Sequence, residues 1–319
     1  MPERNLPLLL SLLWTLWIPA ALACTPDTHE PLVPLTESPR QDPALVSLGR
    51  DLFHDVRLSA DNSISCATCH PIDRGGADQL ALSVGIKGQF GTRNTPTVLN
   101  AALNYRQFWD GRSATLEDQA MQPVTTPHEM GSDWPEVFAK LQQDPDLVAR
   151  FRTAFPGTPT LTQDNLTKAL ASYERSLIIG NSPFDRYLCG QTDAISPAAR
   201  SGYQLFKDIG CSACHQGQNV GGNMFEKVGI VIPAEGSIFE DDDPGRFAQT
   251  GNPEDRFEFR VPPLRNVALT PPYFHNGKVG SLKDAVQLMA HHQLGRDLSE
   301  TQLSDIVEFL NTLTSVEPQ

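Results

Sequence analysis

Apolar side chains recur every three to four residues in three segments of the chain, at positions 162–179, 281–292 and 299–313. This spacing places them on one face of a helix. The first segment carries Leu166, Leu170, Tyr173 and Leu177, and the last carries Leu303, Ile306, Val307, Leu310 and Leu313. Ser299 and Gln302 have the spacing of a capping box at a helix N-terminus. Three helices are therefore predicted, whereas strand-like alternation is sparse.

Two further helical patterns each lead into a cysteine-containing motif. Upstream of Cys66, the apolar positions are Leu45, Leu48, Leu52 and Phe53; upstream of Cys211, Ser196-Pro197 offers an N-cap and first-turn pair, followed by Tyr203, Phe206 and Ile209. The two regions form a weak internal repeat. The Gly- and Pro-rich stretches 75–96 and 217–263 are predicted to be long loops, which usually carry function or a ligand.

The first 23 residues have the pattern of an export signal. Arg4 precedes an apolar run over residues 8–18, and Ala21-Leu22-Ala23 has the small-x-small form of a cleavage site. The run is too short to span a bilayer, which needs about 20 residues. We therefore predict a signal peptide at 1–23 and a periplasmic protein, in an oxidising compartment.

Composition indicates a soluble globular chain of about two domains. The chain has 319 residues, of which 39% are hydrophobic and 20% charged, close to ordinary globular usage. The formal net charge is -13, and no basic patch is evident. This charge has the wrong sign for tracking a phosphate backbone, so nucleic acid is not an expected partner.

Two motifs in the chain match the attachment signal for haem c. Cys66-Ala67-Thr68-Cys69-His70 and Cys211-Ser212-Ala213-Cys214-His215 both read C-x-x-C-H. In each motif the two cysteines can form thioethers to the haem vinyl groups, and the histidine then lies under the iron as its proximal ligand. A pair of disulfides or a zinc site are the alternatives. Two covalently bound haem c groups are expected, with the long loops as walls of their pockets.

From about Leu48 to Leu313 the chain resembles the bacterial di-haem cytochrome c peroxidases, a family that includes MauG. The resemblance runs, in order, through several separate blocks. These blocks are Asp61-Asn62-Ser63-Ile64-Ser65 with the first haem motif, Arg93-Asn94-Thr95-Pro96-Thr97-Val98, Phe108-Trp109-Asp110-Gly111-Arg112, Glu129-Met130-Gly131 and Pro271-Pro272-Tyr273-Phe274-His275-Asn276-Gly277. It implies a mainly α fold of two cytochrome c-like haem domains, with long loops and little strand.

The resemblance also implies a site for peroxide reduction at the N-terminal haem. His70 is its proximal ligand, Glu129 its acid/base group, and Gln119 lines the same pocket. Many relatives carry a histidine that caps the resting iron, but the matching position here is Ile86, which cannot ligate. We therefore expect a five-coordinate haem. Lys87 is the neighbouring candidate ligand, although a solvated lysine is the commoner case.

At the second haem, the resemblance implies His215 and Met289 as axial ligands, a pair that raises the iron's potential. His291 and His292 are rival ligands, and MauG-like enzymes carry a tyrosine at the position of Met289. Trp109 matches the tryptophan that lies between the haems. Asn94, with the backbone oxygens of Thr270 and Pro272, matches a calcium site. His275 is expected to orient a haem propionate or a loop.

Cys24 and Cys189 are the remaining cysteines. A disulfide between them is the preferred prediction, because it suits an oxidising compartment; a lipid anchor on Cys24 and a free buried thiol at Cys189 are the alternatives. The expected organisation is a signal peptide at 1–23, a Pro-rich leader at 24–43, a peroxidatic haem domain at 44–188 and an electron-transfer haem domain at 189–319.

The predicted function is reduction of hydrogen peroxide with electrons from a small c-type cytochrome or cupredoxin. The first alternative is a MauG-like enzyme that oxidises residues of a partner protein through a high-valent haem; Ile86 slightly favours it, whereas Met289 favours the peroxidase. The second alternative is a plain electron-transfer cytochrome with both irons six-coordinate. The sequence leaves open whether the chain is a monomer or a homodimer.

Overall fold

The structure, a computed structural model, describes residue 24 and residues 29–36, 38–158, 161–233 and 242–315. The predicted signal peptide lies outside these residues. None of the described helices is long and apolar enough to cross a membrane.

The described chain is mainly helical, as predicted. Its α-helices are α1 (Pro43–Phe53), α2 (Cys66–Cys69), α3 (Leu116–Thr125), α4 (Trp134–Leu141), α5 (Pro145–Ala154), α6 (Gln163–Ser176), α7 (Pro183–Leu188), α8 (Pro197–Asp208), α9 (Phe247–Thr250), α10 (Leu282–Leu294) and α11 (Glu300–Asn311). Short 3-10 turns lie at Val56–Leu58, Ile72–Arg74, Ile86–Gly88, Ala101–Leu103, Cys211–Ala213, Pro253–Asp255 and Val267–Leu269.

The five helices predicted from periodicity are confirmed, because each has its own start signal. Thr162, Ser196 and Ser281 cap α6, α8 and α10 by accepting a backbone N–H of the first turn. Ser299 and Gln302 form the predicted capping box of α11. Helices α3, α4, α5 and α7 were not predicted, although the caps of α4 and α5, Asp133 and Asp144, follow the same rule.

The first core is formed where α1 crosses α6, with α3, α4 and α5 packed around this pair. The crossing is close because Gly49 has no side chain: a Cβ there would lie 1.9 Å from the carbonyl oxygen of Ala169. Leu52, Phe151, Leu166 and Leu170 fill the interior of this core.

The second core repeats this arrangement with α8 against α11. Here a Cβ on Gly202 would lie 1.8 Å from the carbonyl oxygen of Asp305. Phe309 is fully buried, and its ring centroid is 5.0–5.1 Å from those of Phe184, Tyr203 and Phe206. The weak repeat seen in the sequence therefore corresponds to two helix crossings of the same kind.

Residues 29–36, from the Pro-rich leader, pack on the second core rather than standing apart from it. We call them the strap. Leu32 is buried in that core, and Gly217 donates a hydrogen bond from its backbone N–H to the carbonyl oxygen of Pro31 at 2.8 Å. Cys24, ahead of the strap, is disulfide-bonded to Cys189 at the end of α7, which is the pairing preferred from the sequence. The domain boundaries remain a prediction.

The predicted loop at 217–263 contains regular structure. Strand β1 (Phe225–Lys227) pairs antiparallel with β2 (Glu258–Arg260), with Phe225 opposite Arg260. Two three-residue strands are too short to give a period-2 signal in the sequence. This strand pair brings Phe259 and Arg260 to the region between the two cores.

Candidate functional site

Two cavities lie side by side in the molecule, and each contains one C-x-x-C-H motif. The first cavity is lined by Cys66, Cys69 and His70, and the second cavity by Cys211, Cys214 and His215. The walls are largely apolar. In the first cavity they include Phe53, Ile64, Val98, Met130 and Leu170, and in the second Phe206, Val261, Leu264, Val286, Ile306 and Leu310.

The first motif is held by a short helix with its own cap. Ser65 and Thr68 form a capping box at the start of α2, and the backbone N–H of His70 donates to the carbonyl oxygen of Cys66 at 2.9 Å. His70 Nδ1 lies 3.1 Å from the carbonyl oxygen of Gly76. A carbonyl can only accept, so Nδ1 carries the proton and Nε2 is left as a lone-pair donor. Burial lowers the pKa of His70, which keeps the ring neutral.

The second motif has the same backbone hydrogen bond on a 3-10 turn, but Nδ1 of His215 is buried without a hydrogen-bond partner among the described residues. The backbone N–H of His215 donates to the carbonyl oxygen of Cys211 at 3.0 Å. Burial lowers the pKa of His215 to about 4, an effect that the nearby carbonyl groups of Val220 and Pro262 oppose. Both motif histidines are therefore neutral at physiological pH, the form in which imidazole ligates a metal.

The four motif cysteines are free thiols, so the alternative of two disulfides is wrong. Burial raises the pKa of Cys66 and Cys211 to about 12 and that of Cys69 to about 11. Neutral thiols beside a neutral imidazole, in a cavity with apolar walls, fit a covalently attached haem. They fit a structural zinc site poorly, because zinc there takes four ligands and no three His, Cys, Asp or Glu side chains among the described residues are grouped so as to hold a metal ion.

Glu129 lines the first cavity together with Gln119, at the side formed by α3 and the turn that follows it. Two backbone hydrogen bonds hold this turn: Met130 N–H donates to Pro123 O at 3.1 Å, and Ile86 N–H donates to Glu129 O at 2.9 Å. Burial raises the pKa of Glu129, and the charges of His128 and Arg112 oppose the shift. A raised pKa makes a carboxyl group a stronger base, which suits a group that must both accept and release a proton.

The side chain of Ile86 does not line the first cavity. It is buried beneath Gly131, where a Cβ would lie 2.4 Å from Ile86 Cδ1. Lys87 is exposed. His128 does line the cavity, and sequence reasoning missed it. Among the described residues, His70 and His128 are the two histidines that line this cavity.

Met289 lines the second cavity with His215, and its two rivals point elsewhere. His291 Nδ1 lies 2.9 Å from Asp297 Oδ1, and His292 Nδ1 lies 3.0 Å from the carbonyl oxygen of Ile232. His291, two positions after Met289, is turned away from it by roughly 200° around helix α10, at about 100° per residue. His292, three positions along, is on the same side of the helix as Met289, but its ring is hydrogen-bonded to Ile232 and does not line the cavity. Met289 is therefore the one of these three that lines the cavity.

Trp109 and Arg260 line both cavities and form part of the wall between them. The indole Nε1 of Trp109 donates to the carbonyl oxygen of Asn94 at 2.8 Å, which fixes the ring plane. His275 stacks on Phe259 with ring centroids 4.1 Å apart, and it meets Trp109 edge to face at 6.3 Å. An aromatic side chain therefore stands directly between the two motifs.

The three residues of the expected calcium site, Asn94, Thr270 and Pro272, all line the second cavity. The side-chain amide of Asn94 donates from Nδ2 to the carbonyl oxygen of Leu80 at 2.9 Å. This orients the amide so that Oδ1 is the atom left to act as a ligand. The calcium site itself stays a prediction.

The first cavity contains a second carboxyl group, that of Glu174, which was not predicted from the sequence. It lies on α6, is only 5% exposed, and burial raises its pKa to about 8. A signal was present in the sequence, because Glu174 comes one turn after Leu170 and so interrupts the apolar face of the helix. Arg260 had no comparable signal.

The comparisons with known proteins agree with this picture. The family model described as di-haem cytochrome c peroxidase matches residues 43–193. The chain is 44% identical to a cytochrome c peroxidase of Escherichia coli, over 90% of this chain and 62% of that one. It is also 44% identical to the cytochrome c551 peroxidase of Pseudomonas aeruginosa, over 90% of this chain and 81% of that one.

More distant similarities reach the MauG branch. MauG proteins match at 33–35% identity. A solved structure of a MauG-like protein associated with microbial copper homeostasis superposes with a TM-score of 0.77 at 26% identity, covering 95% of this chain and 96% of that one. The peroxidases of Escherichia coli and Pseudomonas aeruginosa are thus more similar to this chain than the MauG proteins are.

Proposed function

This chain belongs to the family of di-haem cytochrome c peroxidases, and we propose that it reduces hydrogen peroxide to water with electrons from a small redox protein. The observation that carries the proposal is that Glu129 lines the same cavity as His70. An acid/base group across a cavity from a proximal histidine is what peroxide cleavage requires.

Cys66 and Cys69 would hold the first haem through thioethers, and Cys211 and Cys214 the second. When bound, haem would supply the iron at which peroxide is reduced, and His70 would be a ligand of that iron. His70 contributes a neutral Nε2, because its Nδ1 proton is committed to Gly76. The hydrogen bond makes the imidazole a stronger donor and fixes its plane.

Glu129 would carry the proton that peroxide cleavage moves. Its carboxylate accepts a proton from the oxygen of peroxide nearer the iron and returns it to the departing oxygen, which leaves as water. Gln119, in the same wall, would orient peroxide by hydrogen bonding. The surroundings of the cavity are largely apolar, which strengthens these contacts and excludes bulk water.

His215 and Met289 would hold the iron of the second haem, and Trp109 would carry electrons between the two sites. Met289 lines the same cavity as His215, and Trp109 lines both cavities. The donor would be a small c-type cytochrome or cupredoxin. A calcium ion at Asn94, Thr270 and Pro272, and export to the periplasm after removal of residues 1–23, complete the proposal.

A MauG-like protein oxidase is the second candidate, and Ile86 is the observation that favours it. Without a histidine at this position, the first haem would be open in the oxidised protein. Met289 favours the peroxidase, since MauG-like enzymes resemble this chain less closely and carry tyrosine there.

Rapid mixing tests the proposal. The fully oxidised protein is mixed with peroxide without pre-reduction, and haem absorption is followed before and after reduced small cytochrome c is added. We expect an immediate spectral change that the cytochrome reverses over many turnovers. A change that persists beside the cytochrome would favour the protein oxidase.

If no change occurs until the protein is pre-reduced, another group caps the iron and the inference from Ile86 is wrong. His128→Ala then provides the decisive variant, since His128 lines the same cavity. A protein with no high-spin component in its resting spectrum, and no reaction in either state, would instead be a plain electron-transfer cytochrome.

A further inference from the structure

Arg260 is a buried cation that lies where the two cavities meet. It ends strand β2, is 3% exposed, and lines both the first and the second cavity. Its backbone N–H donates to the carbonyl oxygen of Trp109 at 2.7 Å, and its Nε donates to that of Phe108 at 3.3 Å. The guanidinium is therefore anchored beside the inter-cavity tryptophan.

One terminal nitrogen of this guanidinium lacks a hydrogen-bond acceptor among the described residues. This nitrogen, Nη1, is buried. The other deeply buried arginine, Arg265, is paired with Asp185 at 2.8 Å, and the largely buried Arg93 is paired with Asp110 at 2.7 Å and Asp243 at 2.6 Å.

A buried charge without a counter-ion is strongly destabilising, so such a group is normally paired. Burial lowers the pKa of Arg260 to about 10, which still leaves it charged at neutral pH. An anion delivered into the cavities would complete this site. Haem brings two propionate carboxylates, and arginine binds carboxylates well.

We propose that Arg260 binds a haem propionate through Nη1 and so ties the prosthetic group to the wall that holds Trp109. The proposal rests on the two haem groups of the proposed function. A fixed positive charge beside a haem favours the reduced iron, which carries one positive charge fewer. Arg260 therefore raises the reduction potential of the haem it contacts.

Three variants separate this role from a structural one. Arg260→Gln removes the charge and Arg260→Lys keeps it. Arg246→Gln is the control, because Arg246 precedes α9, is paired with Glu258 of strand β2 and lines neither cavity. Haem content, far-UV circular dichroism and spectroelectrochemical titration of both haems are measured for each.

For Arg260→Gln, we expect two bound haems. The equilibrium constant for reduction of at least one of them should fall about tenfold, which corresponds to a potential lower by about 59 mV for a one-electron couple. The haem potentials of Arg260→Lys should be close to those of the wild type, and those of Arg246→Gln should be unchanged. Equal potentials in wild type and Arg260→Gln would overturn the proposal.

A crystal structure of the haem-loaded wild type keeps the proposal testable even if Arg260→Gln does not fold. It should show a propionate oxygen within 3.2 Å of Nη1; a water or a protein carbonyl there, with no propionate, would refute it. Titration and structure do not involve turnover, so loss of peroxidase activity would leave them interpretable. Absence of covalent haem would instead count against the proposed function.

Discussion

Two carboxyl side chains line the first cavity, and burial raises the pKa of both. They differ in their surroundings. Glu129 has the charges of His128 and Arg112 near it, whereas Glu174 lies on a core helix and its pKa reaches about 8. The family resemblance assigns the proposed acid/base role to Glu129, whereas Glu174, with a pKa of about 8, is neutral over much of the physiological range.

Replacing Glu129 by Gln should slow the reaction with peroxide by about 10²–10⁴-fold, because an amide cannot accept the proton. In the wild type the base form is required, so the rate should fall as pH drops through a pKa above the ordinary carboxyl value. In the variant, the rate should not show this decrease at low pH. Stopped-flow rates across pH measure both effects, with the exposed Glu308→Gln as control; an unchanged pH profile in E129Q would assign the base elsewhere.

Replacing Glu174 by Gln should change how stability depends on pH. Burial raises the pKa from 4.5 to about 8, so the folded state keeps a proton that the unfolded state loses. The free energy of unfolding should therefore be highest below pH 4.5 and fall as pH rises toward about 8.

In E174Q this contribution is absent, since the amide does not ionise. Urea unfolding at pH 5 and pH 8 should show a wild-type loss larger than that of the variant, on the order of a few kcal/mol. The exposed Glu254→Gln should behave like the wild type. Equal losses in wild type and E174Q would mean that Glu174 is ionised in the folded protein.

Replacing Met289 by Ala should lower the potential of the second haem by on the order of 0.1 V or more, because a thioether ligand stabilises the reduced iron. Redox titration followed by absorption measures the shift, and the first haem serves as an internal reference. His291→Ala should leave both potentials unchanged. A shift in H291A without one in M289A would reverse the ligand assignment.

At the level of elements, the two haem regions use the same construction. A helix before each motif crosses a later helix at a glycine, α1 over α6 at Gly49 and α8 over α11 at Gly202. Each helix pair contributes side chains to one cavity wall, Phe53 and Leu170 to the first and Phe206 and Leu310 to the second. The strap and the Cys24–Cys189 disulfide add a tie that the second core has and the first lacks among the described residues.

Replacing Cys189 by Ser should lower the free energy of unfolding by about 2–4 kcal/mol, because the disulfide closes a long loop of chain. The strap should also become easier to cleave, since Leu32 and Leu35 then lack a covalent tether. Denaturant unfolding and limited proteolysis measure these effects. Cys24→Ser should give the same loss, and the double variant no further loss; an additive double variant would show that the thiols act separately.

At the scale of the whole molecule, the net charge of -13 should govern how fast a donor arrives. A donor with a basic face is attracted over a distance that salt shortens, so its second-order rate should fall by about tenfold or more between low and high ionic strength. The step with uncharged peroxide should not change. Steady-state and stopped-flow rates across salt concentration separate the two; a flat donor rate would indicate a locally neutral docking face.

Much of the architecture was predictable because its signals are local. The five predicted helices carry caps within a few residues of their first turn, and each C-x-x-C-H motif is a contiguous turn of chain. Strands β1 and β2 were not predicted, because three residues are too few to show an alternation of apolar and polar positions. Helices α3, α4, α5 and α7 were not predicted either, because they are short and the repeat of apolar residues along each of them is weak.

The sequence by itself determined the two motifs, the helices and the family resemblance, since these depend on spacing along the chain. Only the tertiary structure decided which side chains face the cavities. Ile86 turns beneath Gly131, Met289 faces the second cavity while His291 and His292 do not, and His128 joins the first wall. The sequence places Glu174 on the apolar face of α6, but the water exclusion that raises its pKa, like the unpaired Nη1 of Arg260, arises only when distant segments pack together.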